Sequence, residues 1–245
     1  MQLLELATLK LGNLIIGEPM TSLTDILLAV TSFVLVARIR NCLNESFFNN
    51  AWRMFFLCMG ISTSIGTIAH AINGSSAQQL FNILWMAMTF ASSTAVFYAV
   101  HATIRFMRSS GQWRKIFMAI NVIALIVFLL YTAAFNNFEI FKIHAAVGVV
   151  IIFLTHTIAW LRNHHGSGWV AVGMGLSILT VVIHSMQLSI SKWFNYKDIS
   201  HVIMLVSLIC IYNGIHGMSD TLQLSVFRSR IKESDNNLNG AERAL

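Results

Sequence analysis

The sequence predicts an all-α, polytopic membrane protein built as a seven-transmembrane-helix bundle. Three observations carry that prediction. Charged residues make up 11% of the 245 positions and hydrophobic residues 56%, against about 25% charged in a soluble globular domain. Seven apolar runs, each near the roughly 20 residues that a helix needs to cross a bilayer, alternate with short polar loops. The single proline, Pro19, stands ahead of the first run and interrupts none of them.

Residues 1–17 (MQLLELATLKLGNLIIG) are apolar but too short to span, and Glu5 and Lys10 break them. Residues 1–20 therefore read as an interfacial N-terminal segment, either a helix or a lid over the bundle. Glu18-Pro19 starts a helix, with proline at the first helical position. The first span covers 21–38, contains Asp25 and ends at Arg38 and Arg40. The second, 51–73, closes at Asn73-Gly74, and the third, 78–105, ends in Arg105 and Arg108. The fourth covers 116–135. Asn136-Asn137 turns into the fifth, 140–161, followed by Arg162, His164 and His165. The sixth covers 168–190 and the seventh 198–225. The transmembrane domain is thus 21–230, and the polar residues 231–245 read as a disordered cytoplasmic tail.

The net charge of +6 does not point to nucleic acid, because the basic residues sit mostly in short loops, as orientation signals do. Arg38, Arg40, Arg53, Arg105, Arg108, Arg114, Lys115, Arg162, Arg228, Arg230 and Lys232 fall on one side, and Lys142, Lys192 and Lys197 on the other. The positive-inside rule then predicts an N-terminus outside and a C-terminus in the cytoplasm. Cys42, Cys58 and Cys210 show no CxxC or CxxH spacing, which argues against a disulfide framework. No basic n-region leads to an A-x-A-like site, so no cleaved signal peptide is expected.

Ionisable side chains inside a membrane are costly and mark sites or partnerships. In this topology His70, near the end of span two, and His201, near the start of span seven, share one depth. His184 should lie nearly two turns below the outer end of span six, roughly 10 Å at 1.5 Å per residue. Asp25 sits about one turn into span one, with Glu18 and Asp198 at the rim. Thr63, Gly66, Thr67, His70 and Asn73 share one helical face, as do Ser177, Thr180, His184, Gln187 and Ser191. Such polar, small-residue faces turn inward in a bundle. Three imidazoles plus a water is the open coordination of catalytic zinc, and a carboxylate on the far ring nitrogen is its usual support.

Other readings of the same residues stand beside this one. Asp198 could merely cap its helix by bonding the amide of Ser200 or His201. A membrane histidine can simply hydrogen-bond across helices. His101, His156 and His216, in the inner half, suit interhelical bonding. His144 and His156, twelve residues apart, invite haem ligation, although that spacing rotates the two side chains by about 120°. Residues 105–115 (RFMRSSGQWRK) read as a headgroup-level anchor.

Seven spans, a histidine late in helix two and a histidine early in helix seven resemble the alkaline ceramidase and adiponectin-receptor superfamily of integral-membrane metal-dependent hydrolases. EPMTSLTDILLA resembles that family's acidic start of helix one. The resemblance implies zinc held between helices two and seven near the N-terminal face, and hydrolysis of a lipid amide or ester. It matches His70 to the helix-two ligand and His201 to a helix-seven ligand. In the family's Ser-x-x-x-His motif, Gly66 holds the serine position here. In its His-x-x-x-His motif, Leu205 stands at the second histidine. The helix-three aspartate has no counterpart, Asn82 being the nearest polar residue, and His184 would substitute as third ligand.

The sequence therefore leads to an integral-membrane zinc-dependent hydrolase. His70, His184 and His201 are the metal ligands, and Asp25 or Asp198 the general base or orienting carboxylate. A lipid-like amide or ester is the substrate, membrane lipids are the surroundings, and no nucleic acid is involved. A b-type haem electron carrier and a non-catalytic receptor or scaffold are the alternatives. The sequence fixes no oligomeric state.

Overall fold

The computed structural model describes residues 7–12, 14–42, 47–74, 77–107, 111–135 and 138–242. The loop residues Asn136 and Asn137 and the last three residues lie outside that set. Seven helices follow a short hairpin: α1 (Pro19–Cys42), α2 (Phe47–Ile72), α3 (Gln78–Met107), α4 (Gln112–Phe135), α5 (Phe138–Leu161), α6 (Ser167–Met186) and α7 (Tyr196–Glu242). All seven contain a stretch long and apolar enough to cross a membrane, and the protein is an all-α seven-helix bundle.

Six of the helices close a ring. α1 packs on α2, α2 on α3, α3 on α5, α5 on α6, α6 on α7, and α7 returns to α1. α4 stands outside this ring against α3. Its Ile120, Ile123, Val127 and Leu130 are exposed, as side chains facing lipid are. Asn121, one of its buried residues, donates to the Phe97 carbonyl at 3.1 Å and pins α4 to α3.

Lipid tails are as apolar as leucine, so close packing and interhelical hydrogen bonds hold membrane helices together. The α6–α7 seam uses both. A Cβ on Gly173 would lie 2.7 Å from Ile211 and 2.8 Å from the Ser207 carbonyl, so only glycine permits this approach. Ser207 then donates to the Gly173 carbonyl at 2.7 Å and pairs with Ser177 at 2.8 Å. The densest apolar packing lies in the half of the bundle that holds the C-terminal end of α1 and the N-terminal end of α2. There Trp52 meets Phe55 edge to face at 5.5 Å, and Phe55 meets Phe56 at 5.0 Å.

Three local expectations change. The N-terminal segment, expected as an interfacial helix or a lid over the bundle, forms a hairpin in its described residues. β1 (Leu9–Leu11) and β2 (Leu14–Ile16) pair antiparallel, with Leu11 opposite Leu14. The hairpin is tied down where the Gly17 amide donates to the Ala71 carbonyl and the Ala7 amide to the Lys192 carbonyl. Second, α6 stops at Met186 rather than running to 190. Gln187 turns left-handed (φ 53°), and its N–H bonds back to the Ile183 and His184 carbonyls. Third, α7 continues past its apolar stretch, Tyr196–Ser219, to Glu242, so the polar tail expected to lack structure extends the helix. That tail contains no proline, and extending an existing helix avoids the cost of nucleation.

Candidate functional site

The polar residues collect at the end of the bundle where α1, α3, α5 and α7 begin and α2 and α6 finish. Glu18, one residue ahead of Pro19, is buried although it precedes the span. Its Oε2 accepts from His70 Nδ1 at 2.6 Å, its Oε1 accepts from Asn73 Nδ2 at 2.7 Å, and Lys197 Nζ lies 2.8 Å from both oxygens. Burial alone would raise this carboxyl, but the His70 hydrogen bond and the Lys197 charge outweigh it and hold the group at about 2. Glu18 is thus an anion locked between two cation-capable partners.

The hydrogen bonds fix the tautomers. With Glu18 ionised, His70 donates from Nδ1, and the neutral ring presents a lone pair at Nε2. The Thr24 hydroxyl gives its proton to the Thr21 carbonyl at 3.0 Å, so it can only accept from His201 Nδ1, 2.9 Å away. His201 therefore also presents its Nε2 lone pair. The two rings stand 6.3 Å apart, centroid to centroid, and Trp85 meets His70 edge to face at 5.6 Å.

Asp25 lies between them. Its Oδ1 is 3.6 Å from His201 Nδ1 and its Oδ2 is 3.9 Å from His70 Nε2. Both separations exceed a hydrogen bond, and Oδ2 is buried with no hydrogen-bond partner among the described residues. A carboxylate oxygen and an imidazole lone pair thus face each other in a buried place, an arrangement that asks for a proton or a cation between them. Gly66 makes the room: a Cβ there would sit 2.6 Å from Asp25 Oδ2. The space beside Gly66 is filled by a carboxylate reaching across from α1.

Asp198 has a different task. Its Oδ2 accepts from the Asn195 amide at 2.7 Å, while Asn195 Oδ1 accepts from the Lys197 amide at 2.8 Å. This is a reciprocal capping box at the start of α7, reaching back to the amide of Asn195 rather than forward to Ser200 or His201. The other oxygen accepts from the Thr21 hydroxyl at 2.8 Å and staples α7 to α1. Asp198 is fully buried, and unlike Asp25 it does not line the cavity described next.

The six-helix ring encloses a cavity of about 240 Å³. Asp25, His70, His201, His184 and Lys197 wall its polar end, and its remaining wall is mostly apolar, with Met59, Met88, Val96 and Ile152 among the lining residues. Because α6 stops early, His184 lies in its last turn, not two turns down, and meets Tyr196 edge to face at 4.9 Å. All three sequence-nominated histidines therefore border one cavity. Of the inner histidines, His156 is fully buried and stacked on Phe106 at 4.8 Å, which covers one face of its ring.

In kind, these donors suit a divalent cation: an orphaned carboxylate oxygen, a lone pair at His70 backed by Glu18, and a second lone pair at His201. In spacing, no three His, Cys, Asp or Glu side chains among the described residues converge closely enough, as they stand, to hold an ion.

A family model described as "Family of unknown function (DUF6962)" matches residues 20–220. The chain belongs to that family. The match begins after Glu18 and takes in every span, including Asp25, His70, His184 and His201. No curated protein matches the chain.

Sequence reasoning missed Lys197 as a site residue, because a lysine at a span boundary reads as an orientation signal. It also missed Thr21 and Thr24. Their signal was available: Thr21 lies four residues before Asp25 on the same face of α1, and Thr24 lies three residues after Thr21.

Proposed function

We propose that this member of the DUF6962 family is an integral-membrane, zinc-dependent hydrolase of a lipid-like amide or ester. The observation that carries the reading is the unbonded Asp25 Oδ2 facing His70 Nε2 at 3.9 Å, at the polar end of an otherwise apolar cavity. His70, His201 and His184 would hold the metal, with Asp25 beside it. When bound, zinc supplies a Lewis acid that activates water and polarises a carbonyl. Glu18 orients His70 through Nδ1, and Thr24 does the same for His201. Asp25 takes the proton from the attacking water and returns it to the leaving group. The apolar wall holds the hydrocarbon part of the substrate and keeps bulk water out. On this reading the family would be a relative of the alkaline ceramidase and adiponectin-receptor superfamily.

Metal analysis of the purified protein tests the proposal. About one zinc per chain is expected, lost in His201→Ala and kept in His216→Ala. Protein that takes up no metal after incubation with zinc, and hydrolyses no member of a panel of monoacyl amides and esters, refutes it. A Soret band in its place would favour haem.

We also propose that the site opens toward the outside of the cell, from the loop charges. A membrane-impermeant thiol reagent should label Asn137→Cys in intact cells and leave Ser234→Cys unlabelled. The opposite pattern moves the site to the cytoplasmic face.

A further inference from the structure

The cavity has a floor, and the floor's position has a chemical meaning. Along α2 the lining runs from His70 to Phe55, and along α6 from His184 to Met174. At 1.5 Å per residue these are drops of roughly 22 Å and 15 Å from the polar end. At that depth Phe55, Ala99, Ile152 and Met174 are all buried. The lining on α2 ends at Phe55, against whose ring Trp52 and Phe56 pack edge to face. The space is long, narrow and blind.

Its volume of about 240 Å³ falls below the roughly 300–1,000 Å³ of pockets that enclose a drug-sized ligand. One hydrocarbon chain fits such a slot, and the two chains of a diacyl lipid do not. The ionisable residues of the lining all lie at one end, so the chain must enter tail first with its head at Asp25, His70 and His201. The orphaned Asp25 oxygen favours a head that donates a hydrogen bond.

From this we infer that the protein accommodates a single-chain amphiphile with a donor head group, and that Ala99 and Ile152 at the blind end set the longest chain it accepts. The inference builds on the proposed lipid-hydrolase reading by naming the substrate class, but it concerns binding and does not require turnover.

Saturated primary fatty amides of increasing length provide the probe. They would displace a fluorescent monoacyl ligand from the full chain held in nanodiscs of diacyl phospholipid. Affinity should rise by about fourfold per methylene up to a limit and then fall. Ala99→Leu should move the limit to shorter chains and Ile152→Ala to longer ones, so each variant checks the other. A limit in the same place in both variants, or affinity that climbs with length throughout, overturns the inference, as does displacement by a soluble short-chain diacyl phospholipid. A length limit that shifts as described in protein that takes up no zinc and hydrolyses no member of the amide and ester panel would sink the hydrolase reading and leave this one standing.

Discussion

Asp25→Asn should lower turnover of a monoacyl amide or ester by about 100-fold to 10,000-fold, the usual worth of a positioned general base, while the protein keeps or gains thermal stability. The two effects have one cause. In the native chain Asp25 Oδ2 lies 3.9 Å from His70 Nε2 and accepts no hydrogen bond from the described residues. An asparagine can turn its amide N–H toward that lone pair and form a hydrogen bond worth about 1 kcal/mol. It cannot accept a proton from water. Kinetics on the panel of amides and esters, paired with a thermal melt of zinc-stripped protein, reads both effects. A variant as active as the parent removes Asp25 from the chemistry. A variant with a collapsed melt shows that the carboxylate served the fold instead.

Gly66→Ser should be nearly as damaging, although it rebuilds the Ser-x-x-x-His pattern of the ceramidase-like proteins. Its Cβ would lie 2.6 Å from Asp25 Oδ2 and 3.2 Å from Met88 Sδ. The methionine can swing aside, but the carboxylate is enclosed by α2 and α7. Overpacking of this kind costs about 1–3 kcal/mol, and the displaced carboxylate should take activity with it. A double-mutant cycle identifies the cause. In an Asp25→Ala background the serine has room, so its cost should shrink, giving a coupling of about 0.5–3 kcal/mol. Strict additivity of the two changes would mean that Gly66 serves some other contact.

The seven helices could be read from the chain because crossing a bilayer imposes a length, and length is visible without knowing neighbours. The common depth of His70 and His201 followed from the same arithmetic. What a linear reading could not supply was the order of packing. That α4 leaves the ring while α3 meets α5 depends on which faces interlock, and α4's Asn121 is only one polar residue among many. Asp198 illustrates a second limit. Acid three residues before histidine fits a site and a cap equally well, and only the Asn195 amide and the Thr21 hydroxyl decide between them. The hairpin was within reach. Gly12-Asn13 between two apolar runs is a turn signal, which a reading as a helix or a lid leaves unused.

The pairing of α1 with α7 has a consequence for how the protein is made. Lys197 reaches Glu18 across 179 positions, and His201 reaches Thr24 across 177. During synthesis the first helix is in place long before the last has left the ribosome. Until α7 inserts, Glu18 lacks its lysine, Thr21 lacks Asp198, and Asp25 stands beside His70 with no opposite wall. The nascent intermediate thus carries exposed charge at the edge of the bilayer, a state that chaperones and membrane proteases can recognise. Only arrival of α7 ends that exposure, so the polar cluster is complete once α7 has inserted.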